Sequence, residues 1–199
     1  MTTATPSAPA GPGADAFRFR WLDRLEPPEA RKYLALFRRV LERDSTVGFP
    51  RPFDDATGEK IARDLDRDLR EGRSHLLVAE GGDRFVFQAT LVQNGSPNNR
   101  HLAGVFRAMV DPEVRGGGLM WRTLPHFIER CEALGVERVY LDVRAGCPAE
   151  RAWKHMGFEV FGVLPGYAIV DGQSYDGVYM HMTVARGREI VRRAAAAAP

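Results

Sequence analysis

Between Phe106 and Met120 the chain reads as a strand, three consecutive glycines and the start of a helix. Gly116-Gly117-Gly118 carry no Cβ and reach positive φ at no steric cost, so successive N–H groups can converge on one anion. The helix that follows adds its unpaired N-terminal donors and the positive end of its dipole. The segment therefore predicts a cradle for a phosphate-bearing ligand, the bland alternative being a flexible turn. Met120, Leu124, Phe127, Ile128, Cys131 and Leu134 recur at spacings of three and four, which puts the glycines at a true helix start, and Leu102 to Val110 reads as a buried strand before them. No Lys-Ser or Lys-Thr follows the glycines and the G-x-G-x-x-G spacing is missing, which argues against nucleotide hydrolysis and hydride transfer.

The order of elements around the cradle gives the fold class. Phe17, Phe19 and Trp21 alternate with Arg18 and Arg20 as a half-buried opening strand. Pro27-Pro28 open a helix with Tyr33, Leu36, Phe37, Val40 and Leu41 on one face, and a second helix over 57–71 has Thr57 as its cap and Ile61, Leu65 and Leu69 inside. Strands are predicted over 75–80, 85–93, 101–110, 136–143, 158–163 and 177–184, with a helix over 120–134 and a short one over 148–156. The sum is an α/β fold: a mixed sheet with helices on both faces, whose central pair is made parallel by a right-handed crossover.

At 199 residues and 44% hydrophobic content the chain suits one globular domain, expected over 17–187, with a disordered tail over 1–16 and a short C-terminal tail over 188–199, where a helix begun around Arg188 frays through the alanines. The 28 basic and 26 acidic residues leave a net charge of +2, with no electrostatic footprint for nucleic acid or an anionic membrane. No apolar run approaches the roughly 20 residues that cross a bilayer, and Cys131 and Cys147 make no disulfide framework, so a reducing cytoplasm is expected. No metal site is expected. Exposed apolar residues near the C-terminal strand leave a homodimer open.

Arg115-x-x-Gly118, preceded by Val110-Asp111-Pro112, resembles the acyl-CoA pyrophosphate loop of the GNAT acyltransferase superfamily, written Q/R-x-x-G-x-G/A. Further along, Ser45-Thr46-Val47-Gly48-Phe49, Pro97 to His101, Leu141-Asp142-Val143-Arg144, Ala149-Glu150, Gly157-Phe158 and Leu164-Pro165-Gly166-Tyr167-Ala168 follow in the order of the branch that includes the tabtoxin-resistance acetyltransferase. The resemblance implies a mostly antiparallel sheet whose central parallel strands splay apart. It also implies acetyl-CoA as cofactor and a small-molecule amine as partner. It assigns the cofactor to Arg115, Gly116, Gly117, Gly118, Leu119 and Met120, to the backbone at Met109 and Val110, and to Trp153. Three positions depart from the pattern: Met120 in place of a small residue, Gly104 in place of an acidic one, and Trp153 in place of a tyrosine that donates a proton to the leaving thiolate.

Asp142 lies centrally in an apolar strand, where a carboxylate needs a polar site or a partner. It is the candidate base or anchor for the acceptor ammonium, the alternative being an ion pair with Arg144 two residues on. Indole is no acid, but a thiol of pKa about 8.5 leaves tolerably as thiolate. Tyr140, Tyr167, Tyr175 and Tyr179 are the phenols available for a donor's role, and Tyr167 is carried both as a catalytic candidate and as a wall of the acceptor pocket. Phe49, Arg51 and Phe53 are expected on the opposite wall. Arg107 either holds an acceptor carboxylate or faces solvent, and Gly104 either makes room or marks a β-bulge. His101 matches a family histidine and has a structural alternative. The competing functions are a GNAT-like domain that binds acyl-CoA without turnover, and an acetyltransferase for proteins or peptides.

Overall fold

Strand β2 (His75–Gly81) explains why the sheet sits in the middle of the molecule. Side chains alternate across a strand, and both sets here are apolar: Leu76 and Val78 enter one buried cluster while Leu77 and Ala79 enter another. A sheet apolar on both faces needs cover on both. The computed structural model describes residues 17–44, 47–49 and 53–197, so the expected tail over 1–16, Ser45-Thr46 and Arg51 lie outside the described residues.

The seven strands are β1 (Arg18–Leu22), β2, β3 (Arg84–Gln93), β4 (Leu102–Val110), β5 (Arg138–Arg144), β6 (Glu159–Val170) and β7 (Gln173–Thr183), in the order β1-β2-β3-β4-β5-β7-β6. All neighbours are antiparallel except β4 and β5, the pair joined through the cradle and its helix. Helices α1 (Pro27–Leu41) and α2 (Asp55–Arg70) cover one face over β2 to β4. On the other face lie α3 (Leu119–Ala133), α4 (Pro148–His155) and α5 (Val184–Ala196). The mixed, mostly antiparallel sheet with one parallel pair is the architecture expected.

Several boundaries differ from expectation, each for a local reason. Asp54 rather than Thr57 caps α2, its side chain accepting from the Thr57 N–H at 2.8 Å. The helix expected to begin around Arg188 begins instead at Val184 and runs to Ala196. Thr183 caps α5 through a bond from the Arg186 N–H, and Val184, Gly187 and Ile190 are buried against the core. The α5 stripe is short and followed by alanines, so its 3.6-residue period is weak in the sequence. Residues 164–168, expected as a loop, belong to β6, the sheet's edge strand, which leaves Phe161, Val163, Leu164 and Ile169 exposed.

If α5 is part of the packed core, truncating Ile190 to alanine will lower unfolding stability by about 2 kcal/mol. Urea denaturation followed by circular dichroism measures this, and a frayed tail would show no change.

Candidate active site

The site begins with one extra residue in a central strand. Gln88 pairs with Met109 and Thr90 with Phe106, so Arg107 and Ala108 stand opposite Ala89 alone. Arg107 takes a φ of 50°, a left-handed value uncommon for a residue with a Cβ. The bulge therefore falls at Arg107 and not at Gly104. Gly104 makes no open room either, because a Cβ there would stand 2.6 Å from the Phe106 ring, which fills the space. Strands β4 and β5 pair only over Leu102↔Arg138, Ala103↔Val139 and Gly104↔Tyr140, and beyond them the two part. A right-handed β–α–β crossover puts both carboxyl ends on the same side, so the gap opens beside the glycine cradle.

On the cradle side, Gly116 and Gly118 have φ values of 82° and 72°, which a side-chain-bearing residue adopts only under strain. Gly118 is the N-cap of α3 and offers no side-chain cap, so the first-turn N–H groups keep their donors for another partner. A cavity of about 340 Å³ opens there, lined by Met109, Val110, Arg115, Gly116, Gly118, Leu119 and Met120 from the cradle and by Ala149, Ala152 and Trp153 from α4. Gly117 is not among the lining residues. Arg115 folds back on the end of β4, donating from Nε to the Val110 carbonyl at 3.2 Å and pairing with Asp44 at 3.6 Å. Positive φ, uncapped helix donors and a nearby guanidinium fit the phosphates of a coenzyme.

Across the gap a second cavity, of about 500 Å³, is lined by Val105 to Ala108 of β4, Leu141 to Arg144 of β5, Phe49 and Tyr167. Val47, Ala108, Ala149 and Trp153 line both cavities, so the two meet at the splay. Trp153 is buried at this junction, edge-on to Phe158 at 4.9 Å. Asp142 accepts a hydrogen bond from the Tyr167 hydroxyl. Burial first, and then the neighbouring Asp142 carboxylate, push the Tyr167 phenol well above its ordinary range, so it stays protonated at neutral pH. The Arg144 guanidinium lies over the Tyr175 ring at 4.4 Å. Phe49, which lines this cavity, packs edge-to-face with Phe37 and Phe53 behind it. Arg107 is exposed and lines the cavity from the bulge.

A model of the acetyltransferase (GNAT) family matches residues 34–158. The chain belongs to the GNAT acetyltransferases. The Escherichia coli (strain K12) protein "L-amino acid N-acetyltransferase AaaT" is 30% identical over 138 residues, which are 68% of this chain and 80% of that protein. Among solved structures, yncA of Salmonella typhimurium with its cofactor acetyl-CoA superposes at a TM-score of 0.70, with 16% identity and coverage of 85% of this chain and 95% of that one. The spermidine N-acetyltransferase of Vibrio cholerae, in complex with CoA and spermine, gives 0.71, with 16% identity and coverage of 87% and 98%. This GNAT chain is an acyl-CoA-dependent N-acetyltransferase, and acetyl-CoA is its cofactor. Among the described residues no helix is long and apolar enough to cross a membrane.

Of the candidates read from the sequence, Met109, Val110, Arg115, Gly116, Gly118, Leu119 and Met120 line the smaller cavity, Phe49, Arg107, Asp142, Arg144 and Tyr167 the larger, and Trp153 both, whereas Gly104, Phe53, Gly117, Tyr140, Tyr175 and Tyr179 line neither. His101 lies away from them, at the foot of β4, where its carbonyl accepts from the N–H groups of Glu137 and Arg138. Two supports of the site have partners that the sequence does not announce, although Asp111 stands in the motif before the cradle. Asp111 is fully buried, accepts from Arg39 of α1 at 3.0 Å and from the Glu113 N–H at 3.1 Å, and lies 3.7 Å from Arg84. It thus ties α1 and β3 to the turn that enters the cradle. Asp44, beyond the end of α1, reaches the cradle arginine from 71 positions upstream.

Replacing Gly118 with valine places a β-branched residue at a φ of 72°. Acetyl-CoA affinity measured by calorimetry is expected to fall at least tenfold, and an unchanged affinity would show that the cradle does not hold the cofactor.

Proposed function

We propose that this N-acetyltransferase acts on the amine of a small, amino-acid-like molecule, bound in the larger cavity and acetylated by direct attack. The observation that carries this reading is the Asp142–Tyr167 pair, set in a 500 Å³ cavity that meets the cradle's cavity across the splay. That volume is in the range of small-molecule sites, about 300–1,000 Å³. The name of the Escherichia coli relative, an L-amino acid N-acetyltransferase, and the signatures shared with the tabtoxin-resistance branch support the same class of acceptor.

In this reading the amides at Gly116 to Met120 and the Arg115 guanidinium hold the pyrophosphate, which displaces Asp44 as the arginine's partner. The backbone at Met109 and Val110 guides the pantetheine along the gap. Bound acetyl-CoA supplies an activated acetyl thioester and a stable leaving thiolate. Trp153 packs at the junction of the cavities and keeps water from it.

The acceptor's work falls to Asp142. One carboxylate oxygen takes the Tyr167 hydroxyl, which leaves the other to attract an acceptor ammonium and remove its proton. An amine of pKa near 10 is mostly protonated at neutral pH, so attraction and deprotonation belong to the same group. Tyr167 keeps its own proton and fixes the carboxylate's orientation. Arg107, standing out from the bulge, faces the acceptor's carboxylate, and Arg144, Phe49 and Tyr167 shape the pocket around it.

A thiol-release assay with acetyl-CoA and a panel of small amines tests the proposal. Asp142→Asn is expected to lower kcat/KM at least tenfold, about 1.4 kcal/mol, while calorimetric acetyl-CoA affinity stays unchanged. Tight acetyl-CoA binding with no thiol release on any amine would overturn the reading in favour of a chain that binds without turnover.

A further inference from the structure

The strand that carries Tyr167 is shaped to deliver it. In the β6–β7 ladder Leu164 pairs with Gly177 and Ala168 with Tyr175, so Pro165, Gly166 and Tyr167 stand against Asp176 alone. Bulges of this kind re-aim the side chains they carry. Gly166 takes a φ of 66°, and its N–H donates to the Asp176 Oδ1 at 3.0 Å. The Asp176 carbonyl in turn accepts from the Ala145 N–H at 2.8 Å, which anchors the bulge to the end of β5. The Asp176 carboxylate thus ties the bulge to β7, and its carbonyl ties that point of β7 to the end of β5.

Gly177 supplies the remaining condition. A Cβ on it would stand 2.4 Å from Cγ of the Tyr167 ring and 2.6 Å from Cδ2, closer than real Cβ atoms come. Its φ is not in the left-handed region, so the backbone does not require glycine here. The ring does. Gly177 pairs with Arg144 and Tyr179 pairs with Asp142, and residues two apart on a strand share a face. The base of the Tyr167 ring therefore rests over Gly177, the ring meets Tyr179 edge-on at 6.3 Å, and the side chain ends with its hydroxyl on Asp142.

We propose that Gly177, with Asp176, is a positioning residue for acetyl transfer: the missing side chain is the seat of the Tyr167 ring, and the seat is what brings the phenol to Asp142. This rests on the reading of Asp142 and Tyr167 given above. Any side chain at 177 lifts the ring off β7, parts the hydroxyl from the carboxylate and leaves the cradle untouched on the far side of the splay.

Two measurements test it. The first needs no turnover: carbon-13 labelling of the tyrosine Cζ atoms, with the Tyr167 resonance assigned by its loss in Tyr167→Phe. In the unaltered protein that phenol is expected to remain protonated at a pH where solvent-exposed tyrosines have ionised, near 10. In Gly177→Ala, and to a smaller extent in Asp176→Asn, it should ionise with them. A Tyr167 titration unmoved in Gly177→Ala overturns the proposal. The second is a double-mutant cycle on thiol release with acetyl-CoA and the twenty common L-amino acids. Gly177→Ala is expected to lower kcat at least fivefold with the KM for acetyl-CoA unchanged, yet to cost less than twofold in a Tyr167→Ala background, where no ring remains to displace. Equal losses in both backgrounds would mean that Gly177 acts through general packing and would overturn it. If Gly177→Ala does not fold, Asp176→Asn carries the same cycle. Should no amino acid be turned over by the unaltered protein, the acceptor reading fails, while the titration still decides whether Gly177 seats the ring.

Discussion

The bulge at Arg107 is the constraint on which the site depends. A parallel pair in the centre of a sheet would ordinarily zip along its whole length, each residue adding backbone hydrogen bonds. Here the pairing of β4 with β5 stops after Gly104 and Tyr140, because the extra residue turns the rest of β4 away. The cost is a set of central backbone groups left without strand partners, and a left-handed arginine whose strain the surroundings must hold. What is gained is a wedge that reaches from the cradle to the larger cavity through the middle of the domain.

A wedge in the sheet is tolerable only if its two sides are fixed from outside. On the cradle side the buried Asp111 gathers Arg39, Arg84 and the Glu113 N–H, joining α1, β3 and the turn into the glycines. Such a buried, multiply bonded carboxylate adds little net stability over an apolar alternative, but it allows one arrangement and penalises others. On the far side β5 is held along its whole length by β7, from Arg138↔Thr183 to Arg144↔Gly177. The gap is therefore a fixed slot between two braced strands, with Trp153 as a wall common to both halves.

The fold was largely legible in the chain because its signals are local. The period of α3, the alternation in β2 and the glycines before Leu119 each report on neighbours a few residues away. The cradle and Asp142 were legible for the same reason, since a carboxylate inside Val-Tyr-Leu-Asp-Val is conspicuous on any account. The supports were not. Nothing near Asp111 announces that Arg39 reaches it, and nothing near Tyr167 announces that a register shift will swing it over β7. Leu164 to Ala168 reads as a loop because Pro165 and Gly166 are turn residues, and it is a strand because the bulge gives both a place that needs neither a normal φ nor a ladder donor.

The departures from the family pattern share one physical theme. Gly104 lacks a side chain and Phe106 lies over it, so an acidic position has become an aromatic floor. Trp153 holds an apolar wall where the resemblance implies a tyrosine, and the phenol that reaches Asp142 sits on β6. Each change puts an aromatic ring where the resemblance implies a polar group, Phe106 on the larger cavity and Trp153 at the junction of the two. On the function proposed above, aromatic walls of this kind lower the local dielectric and strengthen the attraction between Asp142 and an incoming ammonium. Under the same proposal, proton removal rests on one carboxylate and its orientation on one phenol, so the precision of their contact counts for more than it would in a site with several polar groups to share the task.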